Sequence, residues 1–168
     1  MNDVSKIIRG IDGFVGQVLH SLGQDSIDVA NSEMDHVCYR FKTDEEFDYY
    51  QREMAALGSK LSVFESSKRL ITTYKLTKPV KTNGREIWVV EFFAPKPGII
   101  LPSGFDHAEF VIGDLFEEFM SNYPQVQFDT GHITQPGNSY VAIGYDGFSV
   151  KFHHQSLESV ISKEKPNG

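Results

Sequence analysis

The sequence predicts an α+β fold of two βαβββ modules behind an N-terminal helix. The order strand, helix, strand, strand, strand is read twice along the 168 residues. The first strand of each run opens alike, "MDHVCYRF" from Met34 and "FDHAEFVI" from Phe105, and the fourth strands, "WVVEFF" and "FSVKFH", place Glu91 and Lys151 at matching positions. Between the runs, "PKPGIILPSG" holds three of the seven prolines and reads as a linker over the surface. Matching residues, beyond strand content alone, make this a duplication. The expected organisation is a single domain over 1–168: an N-terminal helical segment (1–30), a first module (31–94), a linker (95–104) and a second module with a C-terminal helix (105–168).

The elements follow in order. From Val4 to Gly23, Ile7, Ile8, Ile11, Phe14, Val15, Val18, Leu19 and Leu22 recur at spacings of three and four, the helical period, although internal glycines weaken it. In "EMDHVCYRF" Val37, Tyr39 and Phe41 alternate with His36, Cys38 and Arg40, the strand period. Thr43 with Glu46 three residues on forms a capping-box pattern that opens a helix, and Gly58 marks where that helix ends. Strands follow from Lys60, Arg69 and Glu86, the last after a "KTNG" turn. In the second run "FDHAEFVIG" is a strand and "DLFEEFMSNYP" a helix begun by Asp114 and stopped by Pro124. "VQFDTGHIT", "NSYVAIGY" and "FSVKFHH" are three further strands. Ser156 caps a short closing helix that docks through Leu157, Val160 and Ile161, and the final "KPNG" frays.

Composition narrows function. Hydrophobic residues at 40% and charged residues at 23% exclude a disordered chain. A net charge of −7 opposes capture by nucleic acid or anionic membrane, both of which need clustered Lys and Arg. Cys38 is the single cysteine, so no intrachain disulfide forms, and no apolar run reaches the ~18 residues of a membrane span. The N-terminus lacks a signal core, so a cytoplasmic location is expected. Both a monomer and a homodimer are compatible with these features.

Strand periodicity puts Arg40 on the face of His36 and Glu109 on the face of His107, so two faces carry ionisable groups where a core would carry aliphatics. Phe47 and Tyr50 share one helix face, and Leu115, Phe116 and Phe119 mark another. Trp88 and Phe92 alternate away from Glu91 toward the helices, while Phe93 faces the same side as Glu91. Cys38 is a small core residue or, with His36 nearby, a nucleophile. His153 and His154 point to opposite faces, and His132 sits at the surface or on a rim.

"DHVCYR", "WVVEFFAPKPG", "GFDHAEFVI" and "DGFSVKFHHQSLESVI", spanning residues 35–161, resemble the vicinal oxygen chelate superfamily of glyoxalases, extradiol dioxygenases and fosfomycin or bleomycin resistance proteins, and within it the YecM-like proteins. The resemblance implies a curved half-barrel sheet with helices on its convex side and a divalent metal on the concave face, held by the first and fourth strands of each module. Carried over, the ligands are His36, Glu91 and His107. The fourth position falls on Lys151, whose ammonium has no lone pair to offer, and His153, two residues on, is the substitute. Two histidines and a carboxylate suit Fe, Mn, Zn or Ni and leave coordination positions for a small oxygenated substrate. Glu109 then acts as a general base or supports a histidine, Lys151 neutralises an enolate, and Arg40 with His153 binds substrate. The implied function is a divalent-metal-dependent isomerase or oxygenase-like enzyme. The rival reading is a metal-free protein that binds or sequesters a small molecule in the same cup, with Lys151 paired to Glu91 or Glu109.

Overall fold

In the computed structural model, which describes residues 3–164, the chain runs α1 (Ser5–Gln24), β1 (Glu33–Arg40), α2 (Asp44–Glu53), β2 (Gly58–Ser66), β3 (Arg69–Thr82), β4 (Arg85–Phe93), β5 (Gly104–Val111), α3 (Phe116–Ser121), β6 (Tyr140–Gly144), β7 (Ser149–His153) and α4 (Leu157–Glu164). The expected fraying of "KPNG" lies outside the described residues. Seven strands form one curved, unclosed sheet in the order β2-β3-β4-β1-β5-β7-β6. The two modules meet where β1 pairs antiparallel with β5, and each first strand also lies parallel to its own last strand, β1 to β4 and β5 to β7. No helix among the described residues is long and apolar enough to cross a membrane.

Alternation sorts the two faces. Val37, Val90, Phe92, Ala108, Phe110, Val150 and Phe152 are fully buried and pack with Ile7, Ile11, Phe14 and Val18 of α1, Phe47 of α2, and Phe116 and Phe119 of α3. Burying aromatic and branched side chains between helices and sheet is the main stabilising term, at roughly 1.5–3 kcal/mol for each fully buried large side chain. The opposite face carries His36, Glu91, His107, Glu109, Lys151 and His153. It is covered in part by α4, whose Leu157 and Ile161 pack on Val89.

Local signals explain most boundaries. Thr43 Oγ1 accepts from Glu46 N–H at 3.2 Å, but the Glu46 carboxylate accepts from Lys42 N–H and Ser103 Oγ instead of closing a box on Thr43. Asn83 and Gly84 both have positive φ, as the tight β3–β4 turn requires. Helix α2 ends at Glu53 and a short 3-10 turn, Met54–Ala56, leads to Gly58, which opens β2. A Cβ on Gly58 would sit 2.5 Å from Lys75 O, so close strand approach is what requires glycine there.

Three expectations fail locally. "VQFDTGHIT" forms a single bridge, Asp129 to Ala142, because Asp129 Oδ1 accepts Gly131 N–H at 2.8 Å and turns the chain out of extension. Trp88 is 39% exposed: β3 carries extra residues between Lys75 and Val80 opposite it, and the disrupted alternation releases the indole from the helix face. Helix α3 begins at Phe116 and not at Asp114, with Glu118 accepting from Leu115 N–H, which leaves Leu115 outside the apolar face and 62% exposed.

Candidate metal centre

The repeated Asp-His pair marks a backbone irregularity. Along the β1–β5 ladder Met34 faces Phe110 and His36 faces Glu109, so Asp35 has no partner; Cys38 faces His107 and Tyr39 faces Phe105, so Asp106 has none. Each aspartate is thus the extra residue of a β-bulge, a device that re-aims side chains. Asp35 Oδ2 lies 2.8 Å from His36 Nδ1, and Asp106 Oδ2 lies 3.0 Å from His107 Nδ1. An ionised carboxylate only accepts, so Nδ1 donates in both pairs, and a neutral ring then keeps its lone pair on Nε2.

Both Nε2 atoms point at Glu91. His36 Nε2 lies 3.4 Å and His107 Nε2 3.8 Å from Glu91 Oε2, and the ligating atoms of His36, Glu91 and His107 all fall within 4.8 Å of one another. The two histidines are 1% exposed and Glu91 5%. His36 Nε2 makes no aligned hydrogen bond, although Glu91 and Glu109 Oε1, at 3.6 Å, are near. A buried Nε2 with no aligned partner among carboxylates fits a cation, either a proton or a metal ion taking that proton's place, because leaving it unpaired is costly.

Glu109 occupies the middle of the cup. Its Oε1 is 3.2 Å from His107 Nε2 and 3.2 Å from Lys151 Nζ, and its Oε2 is 3.2 Å from His153 Nδ1. Burial pushes this carboxyl up, but His36, Lys151 and His107 outweigh burial and hold it well below the ordinary range. His36 shows the converse: burial opposes its charge, yet Glu109, Asp35 and Glu91 raise its pKa well above 6.5 in the metal-free protein. Burial lowers His153. Three buried carboxylates, Asp35, Glu91 and Glu109, thus gather around the imidazoles and the Lys151 ammonium, an excess of acidic groups that a cation would offset.

A family model for YecM protein matches residues 3–135. The chain belongs to the YecM family. Among solved structures it is similar to the structural-genomics protein EC4020, with a TM-score of 0.81 and 21% identity over 97% of this chain and 94% of that one. It is also similar to hypothetical protein BH1468 from Bacillus halodurans C-125, at TM-score 0.52 and 11% identity over 82% and 99%. A looser similarity, TM-score 0.43 and 11% identity over 80% and 56%, is to a mutant of 4-hydroxymandelate synthase from Streptomyces coelicolor. A search of curated proteins found no match. The curved sheet of paired modules is consistent with the vicinal oxygen chelate fold.

In this YecM-family chain the two halves share one register: Cys38 lies opposite Glu91 and Glu109 opposite Lys151, so Glu91 and Lys151 occupy equivalent places. Lys151 Nζ lies 3.3 Å from His107 Nε2, and Glu109, with Tyr140 and Glu91, overcomes burial to keep it an ammonium. His153 is buried beside Glu109 and 3.5 Å from Asp35, outside the cluster of His36, Glu91 and His107. Arg40 does not line the cup: its guanidinium is engaged by Asp106 at 2.9 Å and by the carbonyls of Pro102 and Phe105. Cys38 packs with Ile71 and Phe93, and burial pushes its thiol well above 9.0, which opposes thiolate formation. His154 stacks on Phe116 outside the cup, whereas His132 stacks on Tyr140 at the mouth. Asp35 and Asp106 were present in the sequence as the repeated residue before each histidine. Strict alternation assigns them to the opposite face, and only the bulges bring them to the imidazoles.

Proposed function

We propose that this protein is a divalent-metal-dependent enzyme acting on a small oxygenated molecule, with His36, Glu91 and His107 as ligands and isomerase or oxygenase-like chemistry. The observation that carries the reading is the convergence of their three ligating atoms within 4.8 Å, with both Nδ1 atoms held by aspartates. Iron, manganese, zinc and nickel suit this donor set. A divalent ion held there supplies Lewis-acid polarisation of a bound oxygen. The chain's own groups do the rest. Glu109, ionised and buried, accepts a proton from substrate at its carboxylate. Lys151, 3.2 Å from it, donates to the oxygen on which negative charge develops. Arg40 fixes Asp106 and through it the His107 ring, a positioning role in place of substrate contact. His153, whose pKa burial lowers, packs against the Glu109 carboxylate with Nδ1 3.2 Å from Oε2.

Protein purified without an affinity tag and analysed for metals tests this. About one equivalent of iron, manganese, nickel or zinc per chain, lost in His36→Ala and His107→Ala while both variants stay folded, is expected. A cup that takes up none of the four ions when they are added rejects the reading.

One observation favours a second reading. The Lys151 ammonium lies 3.3 Å from His107 Nε2, the atom that would ligate. A metal-free cup closed by the Lys151–Glu109 pair is the form of a protein that binds or sequesters a small molecule. The same metal analysis separates the two.

A further inference from the structure

The cup is charged in two tiers. At its floor the carboxylates of Asp35, Glu91 and Glu109 lie among His36, His107, His153 and the Lys151 ammonium. Toward the mouth the cavity, of about 420 Å³, is lined by Arg69 and Lys96, and among the described residues the carboxylates that line it are Glu91 and Glu109. Among the described residues neither Arg69 nor Lys96 has an acidic partner. In a chain of net charge −7, two cations without counter-charges on one cavity wall are conspicuous.

Arg69 is also placed to bind. Its guanidinium lies 4.1 Å from the centre of the Phe93 ring, and Phe93 meets His107 edge-on at 5.4 Å between ring centres, so the cation sits one aromatic ring away from a proposed ligand. Stacking on an aromatic face holds the planar fork and leaves its in-plane donors for an anion. Its Nε is buried and has no hydrogen-bond partner, a donor whose desolvation is so far uncompensated. Arg69 opens β3 directly after Ser67 and Lys68, both at positive φ, and this tight turn directs the residue over Phe93.

We infer that the cup takes a small oxygenated anion: its chelating oxygens face His36, Glu91 and His107, and a separate carboxylate, away from the metal, is held by Arg69 with Lys96 beside it. This rests on the metal reading for the orientation of the substrate, but not for the anion site itself. The cavity lies at the small-molecule end of the ~300–1,000 Å³ range of ligand pockets, which limits the substrate to roughly one ring or its equivalent.

Two probes decide it. Catechol offers vicinal oxygens alone, and 3,4-dihydroxybenzoate adds a carboxylate on the far side of the ring. Titrated calorimetrically into the zinc-loaded protein, the second should bind at least ~tenfold more tightly, the size of a charge-assisted bidentate contact. In Arg69→Met, which keeps an apolar chain over Phe93, the preference should vanish with zinc content and catechol affinity unchanged. Equal affinities in the wild-type protein, or a preference that survives in the variant, overturn the inference. If Arg69→Met does not fold, the wild-type comparison and Lys96→Met, expected to reduce the preference in part, still decide; a preference untouched by Lys96→Met counts against the proposed wall. If the protein takes up no zinc, benzoate is titrated into the metal-free chain. Binding lost in Arg69→Met then upholds the anion site while the metal reading falls, and no binding removes both.

Discussion

Replacing Asp35 by asparagine keeps the shape of the side chain and removes its charge. Asp35 Oδ2 accepts from His36 Nδ1 at 2.8 Å and from Leu157 N–H, at the start of α4, at 2.7 Å. An asparagine oxygen can serve both donors, but a neutral acceptor gives up about half of a charge-assisted bond, so each loses roughly 1 kcal/mol. A total near 2 kcal/mol should lower the Tm of the metal-free protein by about 4–8 °C. The second effect is larger in consequence. Without the carboxylate nothing compels the proton to stay on Nδ1, and the tautomer with its proton on Nε2 cannot ligate. Loss of such a partner weakens metal binding by about 10–100-fold, or ~1.4–2.7 kcal/mol. Competition of zinc between the protein and a chromophoric chelator measures this, with differential scanning calorimetry for Tm. Asp106→Asn should act likewise on His107, and because the two histidines would serve one ion and share Glu91 and Glu109, the loss in the double variant should depart from the product of the two factors. Zinc affinity in Asp35→Asn equal to wild type would refute the idea that the bulged aspartates set the imidazole tautomers.

The other predictions concern charge and packing. Lys151→Glu restores a carboxylate at the place equivalent to Glu91 and removes an ammonium from His107 Nε2, so zinc affinity should rise about tenfold or more; unchanged affinity by chelator competition would show that this place does not face the ion. Against burial, Glu109, Asp35 and Glu91 raise His36 above its ordinary 6.5, so its contribution to the metal-free protein is full below 6.5 and fades as pH rises through the folded-state value. Tm of the metal-free chain should therefore fall with alkalinity, and zinc, taking the place of that proton, should flatten the profile. At the acid end Asp106, pushed up by burial but held further down by His107 and Arg40, stabilises above its ordinary 3.8 and loses that contribution as pH falls toward its folded-state value; Arg40→Met should shift acid unfolding to higher pH. Gly58→Ala, whose new methyl meets Lys75 O at 2.5 Å, should cost about 1–3 kcal/mol in urea unfolding, and a neutral result would mean that the β2–β3 ladder yields there.

Periodicity made most of the first module legible, with a cap at Thr43 marking its helix, although the alternation breaks at Asp35 and around Trp88. The second module was harder to read. "VQFDTGHIT" has strand-forming residues, but Asp129 spends its side chain on Gly131 N–H, and no propensity scale sees that local bond. For the site, His36, His107, Glu109, Lys151 and His153 were visible as ionisable groups on strand faces that should have been apolar. Arg40 follows the same alternation but is drawn to Asp106, since the bulge at that residue puts its carboxylate within 2.9 Å. Arg69 carried no signal at all, because its place over Phe93 depends on how far β3 and β4 run beside each other.

The linear order of residues determined the repeated pattern, the face of strand residues away from the bulges and the kinds of donor available, since these follow from a period of two and from side-chain chemistry. Tertiary structure alone decided convergence. Imidazoles 71 positions apart become neighbours because β1 and β5 pair across the two halves, and their tautomers are set because one residue too many on each strand turns an aspartate back onto the ring beside it. A bulge is a mismatch between two strands, so neither strand's own residues can announce it.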